Sequence, residues 1–408
     1  MINLVLVIQR FSPFDKVGAR RWSKFVHYLQ NKDDLKIHII TQNYFYPKSN
    51  PWNIEINKEK VSITYLNTLS TTVNKYFPLF NRALVFLQYR IFNHTDEGYA
   101  FSKKAFDHLK KERQNILPDV IIASSPAYST CYFAAKYKAM FPQVKLINDY
   151  RDAWIDGYFS WNKTIDDSNA SYKKQQEMEL FSINNCDVVV SVTPELTEKF
   201  KNKIESKGTK TVLVTNGYDR RDLKTNQVKY PSQFVKSKIN ICHFGTLDFG
   251  RDDEFIKVLE TTFPENIIFH LIGTVSEKLK VKCQNNKSVI LTPQIKPDLL
   301  SSFLFFADFH LIINDLEFYY AYGSKVFDAM LYSKPIIFIS KENSLVKKYK
   351  NNFGFFYSDN STTSNKTLIE KILQYEHIPD KLSNYAEFDI ETLSNDYYDL
   401  IKNLANKE

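Results

Sequence analysis

The chain is predicted to be an α/β protein made of two doubly wound, parallel-sheet domains. Three observations predict this. Short apolar runs alternate with helical patterns, the signature of βαβ units. The alternation breaks once, across a polar stretch, and then restarts. The 408 residues exceed the usual size of one domain and suit two of about 200 residues each.

In the first half the predicted strands are Leu4–Ile8, Lys36–Thr41, Val61–Leu66, Val120–Ala123, Lys145–Asn148, Val188–Val192 and Thr211–Val214. Helical patterns lie between them, notably Val17–Leu29, Ser129–Met140, Ala170–Ile183 and Pro194–Lys203. From Asp219 to Lys238 the chain turns polar and irregular, and this reads as an inter-domain linker. Strands then recur at Ile239–Phe244, Ile267–Ile272, Val289–Leu291, Phe309–Ile313, Pro335–Ile339 and Phe353–Phe356. The last segment, Glu391 to Leu404, is amphipathic, with Tyr397, Tyr398 and Ile401 on one face. The expected division is therefore 1–218, a linker 219–238, a second domain 239–388 and a terminal helix 389–408.

Apolar residues make up 43% and aromatics 15%, ample for two cores, and the net charge of +8 is spread without a long basic block. Such a surface favours anionic partners without choosing among them. Basic and aromatic residues are not interleaved on one element, so nucleic-acid binding is the weakest reading. The four cysteines, Cys131, Cys186, Cys242 and Cys283, show no paired spacing, which argues against a zinc site or disulfide framework and for a reducing cytoplasm. The opening apolar run stops at Gln9-Arg10, too short for a signal peptide or a membrane span.

Four stretches carry chemistry. Tyr322-Gly323-Ser324-Lys325, leading into Val326–Met330 after the strand Phe309–Ile313, offers backbone N–H groups, a hydroxyl and an ammonium at a helix start. That combination suits a diphosphate, and Asp328, one turn on, suits a ribose hydroxyl. An ordinary capped helix is the plain alternative. His243-Phe244-Gly245-Thr246-Leu247-Asp248, with Arg251 just after, is a second glycine-led turn with a guanidinium at hand. Arg251 and Lys325 converging on one diphosphate is less expected by chance than either motif alone. Phe11 to Arg21 places Gly18 at the entry to the first helix, where backbone can approach a ligand; a plain strand–helix turn reads equally well. In Asp149-Tyr150-Arg151-Asp152-Ala153-Trp154, at a strand end, Asp152 can take a proton or a sugar hydroxyl bond and Trp154 can stack on a sugar. An Arg–Asp pair beside a packed indole is the alternative.

Taken in order, these residues resemble the GT-B glycosyltransferases, and among them the family 4 retaining enzymes of bacterial surface-polysaccharide assembly. The resemblance runs through Phe11–Arg21, Ser124-Ser125-Pro126, Arg151-Asp152-x-Trp154, Glu179, Cys186–Ser191 and Asn216-Gly217-Tyr218-Asp219. It continues through Gly245-Thr246-Leu247, Ala307-Asp308, Lys325–Met330 and Lys334-Pro335. It implies two Rossmann-like domains facing across a cleft, and a nucleotide-diphosphate sugar held by Gly245, Thr246, Arg251, Gly323, Ser324, Lys325 and Asp328, with Gly18 at the sugar side. Arg151 and Trp154 fall on the acceptor side, and Asp152, Arg251 and Lys325 are the implied catalytic residues. It further implies a polysaccharide or lipid-linked acceptor, no cofactor and no metal, and a final helix that crosses back onto the first domain. No Asp-x-Asp occurs. Two departures stand out. Tyr320 occupies the place of the first of the family's paired glutamates, with Asp315 or Glu317 nearby as substitutes, and Pro126-Ala127-Tyr128 replaces a histidine common in the family.

Residues 76–92 are dense in aromatics, with Arg82 and Arg90 on one helix face. Such a helix suits the interface of the inner membrane, where a lipid-linked acceptor is found, or a core helix covering the sheet. Two rival functions remain open on the sequence. A nucleotide-sugar epimerase of similar fold needs acids and histidines clustered in a cleft, whereas His243, His270 and His310 all look strand-borne. A donor-binding protein without catalysis is the other.

Overall fold

The computed structural model describes all residues except 15–16, 45–53, 77–94, 158–169, 224–227, 249, 262–263, 315–318, 377, 379–384 and 407–408. Most of the aromatic 76–92 segment, together with Asp315 and Glu317, therefore lies outside the described residues. The chain forms two compact units, Met1–Asn216 with Ile390–Glu408, and Gly217–Asp389.

The first unit holds a seven-stranded sheet: β1 (Ile2–Ile8), β2 (Leu35–Gln42), β3 (Val61–Leu66), β4 (Val120–Ser125), β5 (Lys145–Tyr150), β6 (Val188–Ser191) and β7 (Lys210–Leu213). Its order is β3-β2-β1-β4-β5-β6-β7, and every pairing is parallel. Central strands of such a sheet are covered on both faces, so they read as unbroken apolar runs. All of β1 except Asn3 is buried, and all of β4 is buried. The order reverses between β1 and β4, and in doubly wound sheets the crevice at such a switch point is where ligands bind.

The second unit repeats the plan with β8 (Ile239–Phe244), β9 (Ile267–Ile272), β10 (Val289–Thr292), β11 (Phe309–Ile313), β12 (Ile336–Ile339) and β13 (Phe355–Ser358), in the order β10-β9-β8-β11-β12-β13. Its pairings are also parallel, and its switch point lies between β8 and β11. Two core clusters sandwich this sheet, one around Phe327, Phe338 and Tyr349, the other around Phe255, Phe269 and Leu368.

Two features differ from the sequence reading. The 219–238 stretch is not a free linker: it packs on the second unit. Phe234 is buried there against the His270 ring at 4.5 Å and the Phe303 ring at 5.4 Å, and the Lys229 N–H donates to Ser302 Oγ at 3.1 Å. Polar composition hid one apolar anchor. Strands β4 and β5 also run further than their apolar patterns, to Ser125 and Tyr150, because their parallel backbone pairing continues there, with Ser124 opposite Asp149 and Ser125 opposite Tyr150.

The helix Ile390–Ala405 belongs to the first unit by packing. Ile390, Leu393, Tyr397, Ile401 and Leu404 join the same core as Trp22 and Phe25 of the helix Arg20–Leu29. The Tyr397 ring lies 5.0 Å from both Trp22 and Phe25. All four cysteines are buried free thiols. No helix among the described residues is long and apolar enough to cross a membrane.

Candidate functional site

In the second unit, β8 ends in a turn that only glycine can make. Gly245 has φ +92°, in the left-handed region, and its N–H donates to the Ile272 carbonyl at 2.8 Å. A Cβ there would lie 2.4 Å from Lys325 Cε and 3.0 Å from Nζ, so the lysine side chain lies across the bare backbone. Gly273, with φ +134°, approaches from β9. A Cβ on it would stand 2.3 Å from the Gly245 carbonyl oxygen. Gly273→Ala must therefore both strain the backbone and push the turn away, at an expected cost of about 1–3 kcal/mol. Chemical denaturation checks this, and a loss well under 1 kcal/mol would mean the turn yields easily.

Lys325 occupies the first turn of the helix Ser324–Leu331, whose N-cap, Gly323, contributes no side-chain hydrogen bond. The leading N–H groups of a helix have no intrahelical partner, and they carry the positive end of its dipole. The Lys325 ammonium donates to the Thr246 carbonyl at 2.9 Å and faces His243 Nε2 at 3.5 Å. His243 is 1% exposed, and its Nδ1 lies 2.9 Å from the Leu311 carbonyl. A carbonyl only accepts, so Nδ1 carries the proton and Nε2 turns a lone pair toward Lys325. Burial first, then the Lys325 charge, pushes His243 well below its ordinary value. Lys325 itself is brought down to about 7, chiefly by burial and then by Arg251, with Asp248 and Asp328 acting against the shift. Arg251 leads the helix Arg251–Glu260 and donates to the Asp248 carbonyl at 3.3 Å and to its carboxylate at 3.2 Å.

Gly245, Thr246, Arg251, Gly323, Ser324, Lys325 and Asp328 thus gather around the β8 side of this switch point, with Asp328 half-buried one helical turn beyond Lys325. Tyr320 is buried, its ring 6.0 Å from Tyr319. His270 and His310 are wholly buried in hydrogen bonds to Asn240 and to the Leu304 carbonyl, and burial lowers both to about 4. They are core histidines. Among the described residues no group of three or more His, Cys, Asp or Glu can hold a metal ion.

In the first unit, a pocket lies at the other switch point, lined by Ile8, Gln9 and Arg10 after β1, by Gly18, Arg21 and Trp22, by Ser124–Pro126 after β4, and by Arg151 after β5. Its floor is a buried polar network centred on Asp149. The carboxylate accepts from Trp22 Nε1 at 2.9 Å, Ser124 Oγ at 2.7 Å, Tyr397 OH at 2.5 Å and Arg21 Nη2 at 3.2 Å. Arg21 also donates to the carbonyls of Val214 and Thr215, both at 2.8 Å, and to Asn216 Oδ1 at 2.9 Å. Burial opposes the Arg21 charge, yet Asp149 and Tyr397 outweigh it and hold the guanidinium above its ordinary value. In the sequence Asp149 stands only at the head of the 149–154 stretch, just beyond the predicted strand end, with no local sign that it is the acceptor shared by four side chains.

Two expectations change here. Trp154 is 1% exposed, donates from Nε1 to Gln175 Oε1 at 3.0 Å and stacks on Tyr128 at 5.3 Å. It is a packed indole, with no open face for a sugar. Gly18 does not leave backbone bare for a ligand. The space a Cβ would take is filled by Arg10, whose Cδ lies 2.9 Å away, and its carbonyl accepts from Arg151 Nη1 at 3.2 Å. Asp152 is half exposed and pairs with Arg151 at 3.1 Å.

No protein-family model matches the chain, and no curated protein matches it in sequence. Solved structures do match it along its whole length. Sucrose-phosphate synthase from Thermosynechococcus elongatus has a TM-score of 0.66 at 13% identity, covering 99% of each chain. Anabaena HepE, in complex with UDP and glucose, has a TM-score of 0.62 at 12% identity, over 99% of this chain and 100% of that one. The lipopolysaccharide outer core galactosyltransferase WaaB has a TM-score of 0.59 at 13% identity, over 98% and 99%. At such identities the likeness speaks for the fold. The chain has the two-sheet α/β architecture of the GT-B glycosyltransferases.

Proposed function

We propose that the chain is a metal-independent glycosyltransferase that moves a sugar from a nucleotide-diphosphate sugar to a polysaccharide or lipid-linked oligosaccharide acceptor, with retention, in surface-polysaccharide assembly at the cytoplasmic face of the inner membrane. The observation that carries this reading is the Lys325 ammonium laid across the Gly245 turn, beside Arg251 and an uncapped helix start, at the switch point of the second sheet. Donors so placed suit the two phosphates of a leaving nucleotide. HepE, of the same fold, was solved with UDP and with UDP-glucose.

In this reading Arg251 and Lys325 balance the charge that grows on the diphosphate as the bond between the sugar C1 and the phosphate oxygen breaks. The acceptor oxygen bonds to C1 on the same face, and its proton passes to the departing phosphate oxygen, so no protein nucleophile is needed. Asp328 holds the ribose hydroxyls. Asp152, tied to Arg151, lies on the acceptor side. A panel of nucleoside diphosphates tested by thermal shift should reveal at least one that stabilises the chain, by about 3 kcal/mol when present at a hundred times its Kd. No stabilisation by any of them would end this reading. Transfer to a lipid-linked acceptor then separates an enzyme from a donor-binding protein without catalysis.

A further inference from the structure

The pocket in the first unit contains more cationic and donor groups than its framework uses. Arg10 and Arg151 both meet at Gly18: Arg10 Nη1 would be 3.3 Å from a Cβ there, and Arg151 Nη1 holds its carbonyl. Among the described residues each has one carboxylate partner, and both partners are mostly in solvent. Glu97, bound to Arg10, is 60% exposed, and Asp152, bound to Arg151, is 52% exposed. Solvated pairs of this kind are weak and easily exchanged for a better anion. Arg10 Nε is buried without a hydrogen-bond partner among the described residues. Opposite, at the end of β4, Ser125 is only 3% exposed and lines the same pocket, yet its hydroxyl also has no partner among the described residues. A buried hydroxyl without a partner is costly unless something else supplies one. Asp149 does not compete, since its oxygens are already engaged by Arg21, Trp22, Ser124 and Tyr397.

We propose that this pocket binds a phosphoryl group of the acceptor, held by Arg10, Arg151 and Ser125. It rests on the transferase reading only in calling the ligand an acceptor. Two guanidinium forks and a hydroxyl, arriving from the ends of three different strands, match the three oxygens of a tetrahedral phosphate better than the two coplanar oxygens of a carboxylate. On binding, Glu97 and Asp152 give up their arginines to the phosphate and turn to water. Arg21 stays with Asp149 and forms the fixed wall behind the ligand. The phosphate can belong to a polyprenyl lipid or to a phosphorylated sugar, and both present the same chemistry to these residues.

Isothermal titration of the full chain with farnesyl phosphate and, separately, with glycerol 3-phosphate tests this. Both should bind. Arg10→Ala and Arg151→Ala should each weaken binding about tenfold or more, and Ser125→Ala by a smaller factor, with thermal transitions close to the parent's. Farnesyl phosphate binding much more tightly than glycerol 3-phosphate assigns the phosphate to a lipid, and equal binding assigns it to a sugar phosphate. Absence of binding to the parent chain would overturn the proposal. So would binding that Lys325→Ala removes while Arg10→Ala and Arg151→Ala leave it intact, since the phosphate would then sit in the other unit. UDP titrated on the parent chain reads the nucleotide site on its own, so its failure beside intact phosphate binding would count against the transferase reading alone.

Discussion

Lys325→Ala is expected to weaken UDP binding about a hundredfold and to remove turnover, while the chain stays folded. The ammonium lies against the Gly245 turn, and among the described residues it donates to the Thr246 carbonyl and faces His243 Nε2. Removing it therefore strands little inside the protein; the loss falls on the ligand. Lys334→Ala, a lysine near the Phe305 ring, should change UDP affinity only slightly. Equal effects of the two substitutions would mean the diphosphate binds elsewhere.

The same lysine predicts a pH dependence. With Lys325 brought down to about 7 in the free chain, the ammonium is largely present at pH 6 and largely absent at pH 8. A diphosphate favours the charged form and raises the bound-state pKa. Affinity should thus be highest at or below pH 7 and should fall above it, approaching tenfold per pH unit until the bound-state pKa is reached. Titrations in buffers of different ionisation enthalpy should show proton uptake on binding at pH 8. Lys325→Arg, charged throughout, should flatten the profile, and a flat profile in the parent chain would contradict the placement of Lys325 against the diphosphate.

Asp149→Ala should have the largest effect on stability. It leaves the Arg21 guanidinium buried and takes an acceptor from Trp22, Ser124 and Tyr397 at once. Removing one partner of a buried ion pair costs about 3–5 kcal/mol, which for a unit of this size lowers Tm by roughly 10 °C. Tyr397→Phe should cost less, about 1–3 kcal/mol, because the ring keeps its packing on Trp22 and Phe25. Calorimetry reads both. A loss below about 1 kcal/mol for Asp149→Ala would show that water replaces the network and that it does not hold the terminal helix in place.

The alternation of apolar runs and helical patterns places the thirteen strands found among the described residues within a few residues, because buried parallel strands and amphipathic helices write their burial locally. Gly245 and Lys325 were legible for a similar reason: a glycine turn after a strand and a lysine at a helix start each have a local signature. The Tyr397 stripe was legible too, but not what its hydroxyl does. That hydroxyl meets Asp149 across a separation of 248 residues, and Arg21 meets the same acid across 128. No window of sequence contains such a pair. Sugar stacking and a packed indole both stay open for Trp154 on the sequence, because aromatic residues look alike whether packed or exposed, and only Tyr128 and Gln175 closing around it decide for the packed one.

By itself, then, the sequence determined two doubly wound sheets and the kinds of residue at their strand ends, since periodicity and turn chemistry act over a few residues. Tertiary structure alone decided that the Lys325 side chain is packed against His243, that Arg10, Arg151 and Ser125 line one pocket, and that Asp149 is the shared acceptor of Arg21, Trp22, Ser124 and Tyr397. The physical reason is common to all three. Charge, burial and hydrogen-bond supply at a point depend on groups brought together by the sheet from distant parts of the chain.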